Sequence, residues 1–420
     1  MHKRDFIKQA CLLGLSAGVD YSKLTDLLEK VANQSAAMLA SDNNFWMEIR
    51  KGYRLKPDYI NLENGYYCIQ PTEVLEAYVQ HLREINLQGA YYMRTVQNEN
   101  KKKVAERLAA LAGCSSDELI ITRNTTESLD MIIGGTQWQV GDEAIMAEQD
   151  YGAMLDMFGQ VSKRYGILNK IISIPTNPKT DEEIVALYEN AISPKTKLIM
   201  VCHMINITGQ ILPVKKICDM AHTKGVKVMV DGAHAFAHLN FKIPDLNCDY
   251  YGCSLHKWLS APLGAGLLYV KKEHIPNVWP LFAETEKNSN DISRLNHTGT
   301  IPVHTDLAIH NAIDYFEKLG ADRKMQRLKY LQNYWRNAVK NVKNIVMYTP
   351  DDDARSCAIA NVGIQNMNPA QMAEILLKKY GIYTVAIDGK GVKGCRITPN
   401  VYTSLAELDI LIKALKEMAA

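Results

Sequence analysis

Four short apolar runs follow one another in the middle of the chain: KLIMVCHM (197–204), KVMVDGA (227–233), YYGCSL (250–255) and GLLYV (266–270). Each has strand length, and each is apolar along its whole length, without the alternation of a half-buried strand. That composition belongs to strands buried on both faces. ELIIT (118–122), EAIMAE (143–148) and ILNKIISI (167–174) precede them, with helical patterns between most of the runs. The alternation predicts an α/β fold in which a largely parallel sheet lies between layers of helices. A chain of 420 residues exceeds what one core holds, roughly 250–300 residues, and the pattern does change after Asp306. A long helix is predicted over 306–342, and a smaller α+β region follows it. There a helix opens at Asn368-Pro369 and a last one at Ser404, whose Glu407 completes a capping box.

Charge and cysteine usage exclude several classes. With 48 basic against 46 acidic side chains the net charge is +2, so no basic excess is available to neutralise nucleic-acid phosphates. The Lys101–Lys103 run reads as a solvated helix face. Nine cysteines without a Cys-x-x-Cys pair indicate neither a disulfide framework nor a zinc ribbon. No apolar run reaches the ~18–20 residues of a membrane span. Near the start, His2-Lys3-Arg4-Asp5-Phe6-Ile7-Lys8 precedes the uncharged stretch 10–19. This resembles a twin-arginine export signal with Lys in place of the first arginine, and Ser35-Ala36-Ala37 offers a cleavage site. Export to the periplasm is the expectation; an amphipathic cytoplasmic helix is the alternative.

Three strand-end motifs carry the chemistry. Arg123-Asn124-Thr125-Thr126-Glu127 takes a strand into a helix N-terminus, where exposed N–H groups suit a phosphate; plain helix capping is the other reading. Asp231 ends an apolar strand in VDGAH, placed either to cap the next turn or to hold a buried cation. His234 and His238 lie four residues apart, so a metal site made with Asp231, as in a metal-dependent hydrolase, is a rival. Ser254-x-His256-Lys257 sets two hydrogen-bonding side chains beside a lysine. A lysine in an apolar setting is usually a solvated charge, but a desolvated one has a lowered pKa and can form a Schiff base. A phosphate-bearing aldehyde with a ring nitrogen, pyridoxal 5'-phosphate (PLP), would use all three motifs.

The ordered set TRNTTE, EQDYGAM, HMINITGQILPV, VDGAHAFAH, CSLHKW, HTGT and CRITPNVYT resembles the class V aminotransferase family of fold-type-I PLP enzymes, nearest its isopenicillin N epimerase-like branch. The resemblance runs from about Asn44 to the C-terminus. It implies a fold-type-I transferase-like architecture: an extension over 1–41, an arm at the substrate mouth over 42–66, a large PLP-binding domain over 67–305 and a small domain over 306–420. It also implies roles. Lys257 would form the internal aldimine and move the proton, and Asp231 would pair with the pyridine nitrogen. His234 and Asn206 would bond near the ring hydroxyl, and Tyr151 would stack on the ring. Thr125, Thr126, Ser254 and His256 would hold the phosphate. Thr300 would reach the neighbouring subunit's site in a homodimer. Arg396 would grip the substrate carboxylate, with Asn64 and Gly65 at the mouth. No metal is implied.

The fold alone does not choose the reaction. Cysteine desulfurases of this class use a cysteine on a mobile loop before the carboxylate-binding arginine. Here Cys395 adjoins Arg396 in a short segment, on a strand by its pattern. The expected activity is therefore epimerase- or aminotransferase-like, at Cα of an amino acid or small peptide through a quinonoid. A C–S lyase or desulfurase-like enzyme is the alternative, and a non-catalytic PLP sensor is a reading from another class. Tyr91, Tyr92 and Arg94 in the 86–98 loop, together with the 280–300 loop, are candidates for substrate selection or for dimer packing.

Overall fold

The computed structural model describes residues 19–285 and 287–420. After the arm strand β1 (Ile60–Asn61), the seven apolar runs form one sheet. Its strands are β2 (Leu119–Thr122), β3 (Glu143–Ala147), β4 (Leu168–Ile172), β5 (Thr196–Cys202), β6 (Lys227–Asp231), β7 (Tyr250–Ser254) and β8 (Gly266–Val270), in the order β2-β8-β7-β6-β5-β3-β4. Neighbours are parallel from β7 through to β4. The exception is β8, antiparallel to both β2 and β7. The reason is local: the link from Ser254 to Gly266 is too short for the helical crossover that a parallel return needs. That link carries Lys257.

Both faces of the sheet are covered, as its all-apolar strands require. Val228 and Val230 of β6 enter one core cluster, and Met229 between them enters the other. A third cluster belongs to the small domain. There β9 (Ile345–Met347), β10 (Ala360–Ile364), β12 (Val385–Gly389) and β13 (Val392–Ile397) make an antiparallel sheet in the order β12-β13-β10-β9. β11 (Ile382–Tyr383) instead pairs in parallel with β1, which ties the arm to the small domain.

One expectation is corrected. The 306–342 helix is two helices, Val303–Leu319 and Ala321–Val339, because Gly320 takes a φ of +88° that side-chain-bearing residues avoid. From Tyr21 onward the extension packs on the large domain. Leu24, Val31 and Leu39 are buried in the large core, and the Ala40 carbonyl accepts from Arg327 at 3.0 Å. Ser35, a proposed cleavage residue, is the N-cap of the short helix Ala36–Ala40. Residues 1–18, which hold most of the basic–apolar export motif, lie outside the described residues. Among the described residues no helix is long and apolar enough to cross a membrane.

Candidate active site

Sheet register brings the three motifs together. Ser254 at the end of β7 faces Gly266 of β8, and Gly266 faces Thr122 at the end of β2. Thr125, three residues on, therefore opens its helix (Thr125–Gly135) directly over Ser254. Its N–H donates to Ser254 Oγ at 2.9 Å, and the two hydroxyls are 2.7 Å apart. Only glycine fits at 266, since a Cβ there would lie 2.7 Å from the Asn124 amide. Thr126 is half-buried on the same first turn. On the neighbouring strand Asp231 faces Gly252, which sets its carboxylate beside the Ser254–Lys257 link.

The centre is dry. Asp231 is buried and accepts one N–H, from Ala233 at 2.9 Å; burial raises its pKa, and Ala233 and Lys257 oppose the shift. Burial pulls Lys257 down to about 8 despite the attraction of Asp231, with Arg396 adding to the fall. The Lys257 amine lies 3.1 Å from His234 Nε2. On the other side of that ring, Trp258 Nε1 approaches His234 Nδ1 at 3.5 Å. An indole N–H can only donate, so Nδ1 accepts it and the imidazole proton sits on Nε2, where the lysine nitrogen can accept it once the amine is neutral. His256 is held at about 4 by burial, and its Nδ1 is buried without a hydrogen-bond partner.

The substrate side is assembled by the small domain. Arg396 of β13 is buried. Its Nε and Nη2 bind Glu63 side-on, and its Nη1 donates to the Asn206 carbonyl at 3.1 Å. Three of the five guanidinium N–H groups are thus taken, leaving one on each terminal nitrogen for a carboxylate. Gly65 lies flat on this group; a Cβ there would stand 2.8 Å from Cζ. Asn64 is fully buried and bonds Thr398 and Tyr402, so it shapes the arm rather than the mouth. Tyr151 is half-exposed and shares a cavity of about 260 Å³ with Asn206 and the β12–β13 hairpin.

Some candidates do not join this centre. Thr300 is exposed on the surface. The 86–98 loop is helical instead: Gly89 breaks the chain between the helices Thr72–Gln88 and Ala90–Thr95. Tyr92 is buried there, while Tyr91 and Arg94 face outward. A cavity of about 1000 Å³ lies between the Gln97–Ala112 helix and a segment that includes residues 288–293 and 296–299, and none of the proposed cofactor ligands lines it. Glu63 escaped sequence reasoning. Its signal was a charge inside INLENG, next to the Asn64-Gly65 pair that had been singled out.

The Asp231/His234/His238 metal reading is overturned by His238. Its Nδ1 bonds the His234 carbonyl at 2.8 Å and its Nε2 accepts the Ala358 N–H at 3.0 Å, so neither nitrogen has a lone pair for a metal. Among the described residues no group of three metal-binding side chains is present. PLP does fit. A buried carboxylate, Asp231, whose one hydrogen bond is from the Ala233 N–H, an unpartnered imidazole nitrogen and a helix N-terminus capped by hydroxyls match its ring nitrogen and phosphate.

A lysine with a lowered pKa beside a buried aspartate, at the C-terminal ends of a mostly parallel sheet, defines a PLP-dependent enzyme of the fold-type-I architecture. The model of the class V aminotransferase family matches residues 68–407, and the chain belongs to that family. It is 24% identical to the isopenicillin N epimerase of Streptomyces clavuligerus, over 88% of this chain and 97% of that one. It is 26% identical to a probable cysteine desulfurase of Halalkalibacterium halodurans, over 78% and 85%. Among solved structures, a C-DES mutant with glycine covalently linked to its PLP cofactor superposes with a TM-score of 0.80 at 19% identity, over 88% of this chain and 99% of that one.

Proposed function

We propose that the protein acts at Cα of an amino acid or small peptide, in the manner of an epimerase or aminotransferase, with Lys257 as the residue that bonds PLP and moves the proton. The carrying observation is the Lys257 amine itself: half-buried, lowered to about 8 by desolvation, and 3.1 Å from His234 Nε2. PLP supplies an electron sink for the pair left at Cα when its proton departs. Asp231 keeps the ring nitrogen protonated, and His234 orients the lysine amine. Thr125, Thr126, Ser254 and His256 bind the phosphate, Tyr151 covers the ring, and Arg396 takes the α-carboxylate with its two remaining N–H groups. Thr300, exposed on the surface, is free to reach a second copy, whose site it would complete.

Persulfide chemistry is disfavoured by the position of Cys395. It is fully buried on β13, its thiol is pushed up to about 12 by burial, and it points to the Pro369 carbonyl at 3.6 Å. The reading is tested by incubating the PLP-loaded protein with single amino acids in D2O and following Cα–H exchange by NMR. Exchange that Lys257→Ala abolishes supports Cα chemistry, and the chirality of the product then separates epimerisation from transamination. Sulfide release from cysteine without exchange would refute it.

A further inference from the structure

The β12–β13 hairpin closes through two residues, Lys390 and Gly391, both with positive φ (+55° and +79°). A two-residue turn of this kind favours Asn or Gly at its first position. Lysine there costs backbone strain, and strain of this sort collects where a side chain is needed. The side chain is not loose. Lys390 Nζ donates to the Asp150 carbonyl at 2.5 Å, and Lys390 lines the cavity of about 260 Å³ together with Tyr151, Asn206 and the rest of the hairpin.

Lys390 is the one basic side chain lining that cavity. Its ammonium keeps two N–H groups after the bond to Asp150. Two carboxyl groups share the lining. Asp150 is buried, and burial raises it to about 8, so it is protonated and uncharged at neutral pH. Asp388 has Lys393 opposite it in the hairpin register. Arg396 does not line the cavity but is bonded to the carbonyl of Asn206, which does. Asn206 is thus shared by two cations: Arg396, buried on β13, which bonds its carbonyl, and Lys390, which lines the same cavity as Asn206 and Tyr151.

We propose that this cavity is an anion subsite for the distal end of the substrate, and that the enzyme selects α-amino acids bearing a second anionic group, with the α-carboxylate on Arg396 and the second anion on Lys390. The inference rests on the reading of Arg396 given above and deepens it to a substrate class. A cavity of this size accommodates a short side chain, so dicarboxylic amino acids are the natural probes.

The test is a spectroscopic titration of the PLP-loaded protein with L-glutamate, L-glutamine, L-aspartate, L-asparagine and L-norvaline, reading dissociation constants from the shift of the cofactor's visible band. Each acid is expected to bind roughly tenfold or more tightly than its amide, the scale of one charge-assisted hydrogen bond. Lys390→Met should collapse that ratio towards one while keeping the cofactor band, and Lys390→Arg should largely preserve it. If the amides or norvaline shift the band and the acids bind no better in wild type, the subsite is refuted and Cα chemistry stands. Equal ratios in wild type and Lys390→Met also overturn it. If no amino acid moves the band, both readings fall together.

Discussion

Lys257 stands between two opposing influences, burial that favours its neutral form and Asp231 that favours the ammonium, and burial wins. The sign follows directly. With a pKa near 8, the free amine is a minority at pH 7 and dominant by pH 9, so capture of the PLP aldehyde by apoprotein should accelerate through about pH 8. Stopped-flow growth of the visible band measures this, and Lys257→Ala should show none of it. Glu63 is the second decisive residue. Both members of its pair with Arg396 are buried, so Glu63→Ala leaves an uncompensated guanidinium and should cost about 3 kcal/mol of stability, seen in thermal unfolding. Glu63→Gln should tighten carboxylate binding instead, because Arg396 regains its full charge for the ligand. At this scale the sequence was informative about type but not about partners. Asp231 and Lys257 could be chosen from strand-end motifs. The pairing of Glu63 with Arg396 spans more than 300 residues of chain and leaves no local trace.

Among the elements, the β12–β13 hairpin decides most about the reaction. Alternation along β13 turns Arg396 towards Glu63 and Asn206 and turns Cys395 away, into the small-domain core. Cys395→Ala should therefore leave turnover essentially unchanged and lower stability by about 1 kcal/mol, checked by steady-state assay and a melting curve. The hairpin was legible as a short segment, and Cys395 was legible as a strand residue. Its two-residue turn and the reach of Lys390 to Asp150 were not, since they depend on how the small domain sits on the large one. The 306–342 helix shows the converse: a helical pattern ran unbroken to the eye, yet Gly320 carried the stop signal that ends it.

Across the molecule, acid should be destabilising before most carboxylates titrate. Burial holds His203 near 4 and His238 near 3, against an ordinary value near 6.5. Between those limits the unfolded chain binds more protons than the folded one, so stability rises with pH and is lost as pH falls from 6.5 towards 4. The melting temperature should fall between pH 7 and pH 5, and His238→Gln should flatten that dependence. The N-terminal segment makes a second expectation. A chain beginning at Ala37 would lose Leu24 and Val31 from the core and should melt well below one beginning at Asp20. By itself the sequence determined the layered α/β fold, the order of the strand-end motifs and the lysine–aspartate pair, because hydrophobic period and strand-end chemistry are local properties. Only the tertiary structure decided that His238 bridges backbone groups instead of holding a metal, that Glu63 already occupies one edge of Arg396, and that Lys390 lines the cavity. Those outcomes depend on contacts between segments distant in the chain, and such contacts form only when the lobes pack.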